Sequence, residues 1–272
     1  MAHGTPSNAS LGQGTSSSTL KIIAIVGMTA NHGAWIFAPF LPFPALCVLL
    51  ACGGVTFPIM AFLLIEGYRH TSSFGRYAAR LFAFALISQV PYSLFLSSNL
   101  NVLFTLLIGL GLLYIHDHGL PSIRLRKQEG GATPLERSGK MVRFRQSSIT
   151  FWCIAVIGVA VSSLCDWGVL GPLMILMGYL MPTRTQRIVC PLALAVLSIG
   201  LPQAGELLTG SGMDALPYLL YAFVGCTSAA PLLFSYKGAR GLPMKYFFYA
   251  YYPLHILILG LLRSALFGTA SA

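Results

Sequence analysis

Two histidines carry the main chemical possibility of this chain. His32 lies eleven residues after Lys21 and His255 ten after Lys245, so at about 1.5 Å of helix per residue both imidazoles fall roughly 15 Å from the basic end of their spans. Imidazole gives and takes protons near neutrality, which is what general acid–base catalysis requires. An ionisable group at that depth in an apolar span is costly unless it is paired or hydrated. Two packing histidines, each with a local partner, are the plain alternative; the shared depth favours a pair that acts together.

A second group lies nearer the basic end. Glu66, Arg69 and His70 stand at i, i+3 and i+4 on one helical face, and Arg76 and Arg80 repeat the four-residue step on the next helix. Forked guanidinium donors suit the phosphates of a ligand, whereas an interfacial ion pair and topology anchors explain the same residues without one. Tyr251 and Tyr252 precede His255 by four and three residues, a spacing that allows a hydrogen bond to its ring. Asp166 and Asn101 read as helix caps, and Gln89 with Pro91 predicts a kinked, polar-lined span. His116 and His118 point apart on a helix, so no metal site is expected there.

The elements that position these residues are apolar spans. The chain has 272 residues, 56% of them hydrophobic, with only 17 basic and 7 acidic side chains, far fewer charges than a soluble domain of this size carries. Nine apolar runs can be drawn, at 20–38, 44–68, 77–96, 100–116, 149–165, 169–181, 188–208, 215–234 and 246–267. Most are long enough to cross about 30 Å of hydrocarbon. They lack the alternation of barrel strands, so the expected fold is all-α, a polytopic helical integral membrane protein.

Basic residues supply the topology. Sixteen of the 17 fall in alternate loops or beside the first span, and only Arg263 lies at the other side; this places the N-terminus in the cytoplasm. The same pattern explains the formal charge of +10 without nucleic acid, for which no recognition motif is present. Residues 1–19 read as a disordered cytoplasmic tail, 20–268 as a single transmembrane domain, and 117–148 as a flexible cytoplasmic connector. The six cysteines show no paired or ligand spacing and read as small core residues.

At these spans the sequence resembles the TraX family of F-pilin acetylase-like conjugal transfer proteins. The resemblance lies in LKIIAIVGMTANHGA, FPIMAFLLIEGYRHT, RYAARLFAFALISQVPYSLF, LNVLFTLLIGLGLLY, CDWGVLGPLMILMGYL and FFYAYYPLHILILGLL, in order along most of the chain. Where that family commonly carries Asp-His and Ser-Glu, this chain has Asn31-His32 and Ser88-Gln89, an amide for a carboxylate at both places. The resemblance implies acetyl transfer from acetyl-CoA to the N-terminal amine of a pilin subunit, in the bacterial inner membrane and with conjugation-apparatus proteins as partners. The candidate catalytic set is then His32, His255, Asn31 and Glu66, and the donor-binding set is Arg69, Arg76 and Arg80. A non-enzymatic membrane assembly factor for the same pilus apparatus is the alternative.

Overall fold

The structure, a computed structural model, describes residues 14–119, 148–210 and 212–268. Its first half is made of α1 (Ser17–Phe37), α2 (Phe43–Gly53), α3 (Thr56–His70), α4 (Phe74–Phe95) and α5 (Val102–His118). The second half follows as α6 (Ser148–Val161), α7 (Leu170–Leu180), α8 (Arg184–Ala195), α9 (Leu201–Leu208), α10 (Leu216–Leu220), α11 (Thr227–Ser235) and α12 (Lys245–Phe267). Among the described residues, extended pairing is confined to two isolated bridges, Thr15 with Tyr236 and Leu100 with Cys165.

Short polar residues start the helices by satisfying first-turn N–H groups that would otherwise be orphaned. Ser16 accepts from the backbone N–H of Thr19 at 3.2 Å, and Asn101 accepts from that of Leu103 at 3.0 Å. Thr183 and Gln186 form a capping box on α8. Arg184 answers the opposite need, donating to the Phe234 carbonyl at 2.9 Å where α11 runs out.

Among the described residues six helical stretches are long and apolar enough to cross a membrane: Ser17–Phe40, Phe43–His70, Phe74–Phe95, Arg184–Leu208, Met213–Ser235 and Tyr246–Phe267. Three more, Val102–His118, Ile149–Leu164 and Leu170–Leu180, are apolar but shorter. Large side chains such as Val26, Val90, Leu94 and Val156 lie exposed on the outer faces, where lipid is the solvent that suits them. The inner faces pack Leu20, Phe57, Ile59, Leu110, Leu113 and Ile175 almost completely.

Some boundaries differ from the sequence reading. The expected tail ends early, since Thr15 N–H donates to the Ser235 carbonyl at 3.0 Å and α1 begins at Ser17; residues 1–13 lie outside the described residues. The expected connector is shortened in the same way, with α5 reaching His118 and α6 starting at Ser148. Residues 120–147, with their basic cluster, also lie outside the described residues.

The expected second span is two helices, α2 and α3, whose joint at Gly53 and Gly54 sits on a tight crossing. A Cβ on Gly54 would lie 2.8 Å from the Gly225 Cα and would collide with the Tyr221 carbonyl oxygen. Around that crossing Tyr221–Cys226 widens to π-helix, as does Val196–Gly200 next to it. Each bulge adds a residue to its turn, and such bulges recur at functional sites.

Candidate functional site

Helix α12 packs against both α1 and α4, and this sets the two expected histidines face to face. His32 Nδ1 and His255 Nε2 are 2.7 Å apart, and both residues are buried. On the other side of the second ring, His255 Nδ1 lies 2.8 Å from the Tyr251 carbonyl oxygen. A carbonyl only accepts, so His255 Nδ1 carries the proton and, in the neutral pair, His255 Nε2 accepts from His32 Nδ1–H. His32 Nε2 is thereby left as the lone-pair nitrogen of the chain. The Tyr251 ring stacks on His255 at 5.0 Å between centroids, and its hydroxyl is 2.7 Å from Thr29 Oγ1 of α1. Backbone, ring stack and hydroxyl together hold the imidazoles in one orientation.

A cavity of about 490 Å³ enters from the basic end between α1, α3, α4, α5 and α12. Lys21, Glu66, His70, Arg80 and Arg240 line its basic end. Deeper, the walls become apolar through Met60, Leu81, Leu103 and Leu106. Met28 and Tyr252 also line it, whereas His32 and His255 do not. Because His32 follows Met28 by four residues and His255 follows Tyr252 by three, the cavity stops about one helical turn short of the pair. Tyr252 is the partition, its ring 5.9 Å from His32 and 5.7 Å from His255 between centroids.

The mouth is partly built by the segment before α12. The Ala239 and Arg240 carbonyls accept from the free first-turn N–H groups of Ser17 and Ser18 at 2.8 and 3.2 Å, so this loop caps α1 and turns Arg240 towards the cavity. Gly241 takes a φ of 64° with Ser18 pressed against it, a conformation and a fit that only glycine supplies without strain.

The candidates separate accordingly. His32 and His255 come together, and Arg80 joins the cavity. Glu66 lines only the basic end, where it pairs with Arg69 at 3.4 Å and His70 at 3.5 Å. Arg69 turns the rest of its guanidinium over the Tyr179 ring, 5.2 Å away. Arg76 is exposed on the first turn of α4, outside the cavity lining. Asn31 packs against Gly53 of α2, with its carbonyl oxygen buried and unpaired. Lys21 and Arg240 are lining residues outside the candidate set drawn from the sequence, and Tyr252, expected only as a possible hydrogen-bond partner of His255, lines the cavity too. Spacing offered a clue to one of them, since Lys21, Met28 and His32 lie on one helical stripe.

Two neighbouring polar sites serve the frame. Gln89 accepts from the Asn101 backbone and side chain at 3.0 and 2.9 Å and donates to the Asn99 carbonyl at 2.9 Å. An amide is needed to do both, and the result is a clasp between α4 and α5. At the basic end Asp117 accepts from the Tyr68 and Tyr179 hydroxyls at 2.8 and 2.6 Å, tying α5 to α3 and α7.

Asp166, in the loop before α7, accepts from the Trp167 N–H at 3.0 Å and has the Tyr92 hydroxyl beside it. Burial pushes its carboxyl up to about 6. A folded-state value above the unfolded one means that stability is greatest where the acid is protonated and is lost as pH rises. Thermal unfolding in detergent should therefore show a midpoint that falls between about pH 4 and 6 and then levels off. Asp166→Asn should flatten that window; an unchanged slope would contradict the assignment.

Taken together, the fold and site define a polytopic helical membrane protein with an oriented histidine pair beyond a basic-mouthed cavity. The chain belongs to the TraX family: residues 16–263 match the family model described as TraX protein. It is also 26% identical over 260 residues to a Dichelobacter nodosus protein described as probable fimbrial assembly protein FimC, serogroup H1, covering 88% of this chain and 92% of that one. No solved structure matches it.

Proposed function

We propose that this protein is a membrane-embedded acyltransferase of a pilus system, moving an acetyl group from acetyl-CoA to an amine, with the N-terminal amine of a pilin subunit as the acceptor. One observation carries the reading: a histidine pair with a fixed tautomer, its free lone pair at membrane depth, one turn beyond a cavity with cations at its mouth. Lys21, Arg80 and Arg240 suit the phosphates of the donor, and the apolar inner walls suit its uncharged arm. The rise from Lys21 to His32 is about 16 Å of helix, a span that an extended thioester arm can cross.

The chemistry needs little else. An α-amine with a pKa of about 8 is partly neutral at physiological pH. Its nitrogen attacks the thioester carbonyl carbon, and the C–N bond forms as the C–S bond breaks. The amine proton passes to His32 Nε2 and then to the departing thiolate, leaving an amide and the free thiol. While His32 is charged, the hydrogen bond to His255 shares the excess proton, and Tyr251 holds the second ring in place.

A non-enzymatic assembly role is the second reading, favoured by the name of the Dichelobacter relative. Labelled acetyl-CoA separates the two. The enzyme reading expects saturable binding by the purified protein in detergent, weakened by added salt and at least tenfold by Arg80→Ala or Arg240→Ala. Absence of any saturable binding would leave the assembly role.

A further inference from the structure

Among the described residues four buried side-chain polar atoms have no hydrogen-bond partner: Asn31 Oδ1, Arg80 Nε, Tyr252 Oη and Arg263 Nε. Buried donors and acceptors are nearly always paired, so each exception asks for a reason. Two of the four belong to residues lining one cavity, and both are donors. The Arg80 guanidinium lies beside the Tyr249 hydroxyl of α12, and Tyr252 follows Tyr249 by three residues, one turn deeper on that helix. A ligand that satisfied both would carry one acceptor part-way in, another at the floor, and apolar atoms against Leu81, Leu103 and Leu106.

The Tyr252 hydroxyl is the more telling of the two. Its ring is 2% exposed and stands between the cavity and both imidazoles. The Val102 backbone lies near the oxygen without completing a hydrogen bond. The closed position therefore leaves the proton of this hydroxyl without an acceptor, and a phenylalanine would fill the same space without an orphaned donor. The residue that seals the way to His32 is thus also a free O–H donor at the point where an entering acyl group would arrive.

We propose that Tyr252 is a catalytic residue of the acyl transfer: on entry of the donor its ring yields the passage to His32, and its hydroxyl donates a hydrogen bond to the thioester carbonyl oxygen, stabilising the negative charge that gathers there as the amine attacks. This rests on the acyltransferase reading and adds to it the group that receives the oxyanion. No atom is transferred by Tyr252, which donates throughout as a phenol; the proton of the amine still leaves through His32.

Tyr252→Phe tests it with three measurements on the full-length protein in detergent. Removing one oxyanion donor should lower the turnover number about 10²-fold with little change in the donor concentration at half-saturation. The unfolding midpoint should hold or rise, because an unpaired buried hydroxyl is removed. A ketone analogue of acetyl-CoA, in which carbon replaces the thioester sulfur and the carbonyl is isotope-labelled, should show a lower carbonyl stretching frequency bound to the wild type than bound to the variant. Equal frequencies in the two proteins, or equal turnover numbers, would overturn the role of Tyr252 while leaving the acyltransferase reading intact. A wild-type protein that neither binds the analogue nor transfers acetyl would overturn that reading, and this one with it.

Discussion

His32→Ala is expected to lower acetyl transfer by about 10² to 10⁴-fold while leaving donor binding within a few-fold of wild type. The separation follows from position: His32 lies one turn beyond the cavity that would hold the donor, so its removal takes away the proton acceptor and none of the lining. His255→Ala should have a smaller effect on turnover. Without its partner at 2.7 Å the first ring loses both its orientation and the place to share a proton, but the base itself remains. A pH profile of turnover distinguishes the two variants, since the limb assigned to the base should vanish in the first and move in the second. If the histidines served packing alone, both variants would lower the unfolding midpoint and leave turnover per folded molecule unchanged.

The largest effect on stability is expected at the glycine crossing. Gly54 and Gly225 bring α2 and the π-helical turn so close that a Cβ on either meets backbone on the other, and a Cβ on Gly225 would also strike the Ala51 carbonyl oxygen. Backbone cannot step aside as a side chain can, so Gly54→Ala or Gly225→Ala should cost about 3 kcal/mol or more. Without a hydrophobic force between helices in lipid, close small-residue contacts of this kind carry much of the association. Gly33→Ala and Gly111→Ala make the comparison fair, since a Cβ at either helical position meets nothing within 4 Å. These should be neutral or stabilising by up to about 1 kcal/mol. Unfolding midpoints in detergent for the four variants would decide it, and similar losses at all four would dissolve the distinction.

Much of this frame was legible in the sequence, because hydrophobic length and the alternation of basic loops are properties of local residues. The expected spans at 77–96 and 246–267 meet α4 and α12 to within a few residues. The joint inside 44–68 was not legible: neither Gly53 nor Gly54 breaks a helix by itself, and what splits α2 from α3 is close packing against residues some 170 positions later. The π-helical turns escaped for the same reason, although Pro202 marked the neighbourhood of one.

For the site, depth could be counted but rotation could not. Residue spacing placed His32 and His255 at one level, while their hydrogen bond depends on which way α1 and α12 turn about their axes, and that is fixed by helix packing. Rotation also sorts the arginines. Arg80 turns to the cavity, Arg76, four residues before it, stays at the surface, and Arg69 turns to Tyr179. Lys21 and Arg240 fit the charge pattern from which topology was expected, and that sufficient explanation concealed their place at the cavity mouth. The amides at Asn31 and Gln89 have separate explanations: Gln89 needs its NH₂ for the clasp to Asn99, and Asn31 faces Gly53 of α2.

The most direct measurement is the mass of an amine-bearing peptide, with the N-terminal sequence of a pilin from the same cell, after incubation with purified protein and acetyl-CoA. The account predicts one added acetyl group on the N-terminal amine, formed at a rate that saturates with donor and falls at least about 10²-fold in His32→Ala. A peptide of unchanged mass, from folded protein that nonetheless supports pilus assembly in cells, would contradict it and leave the oriented histidines as part of a scaffold.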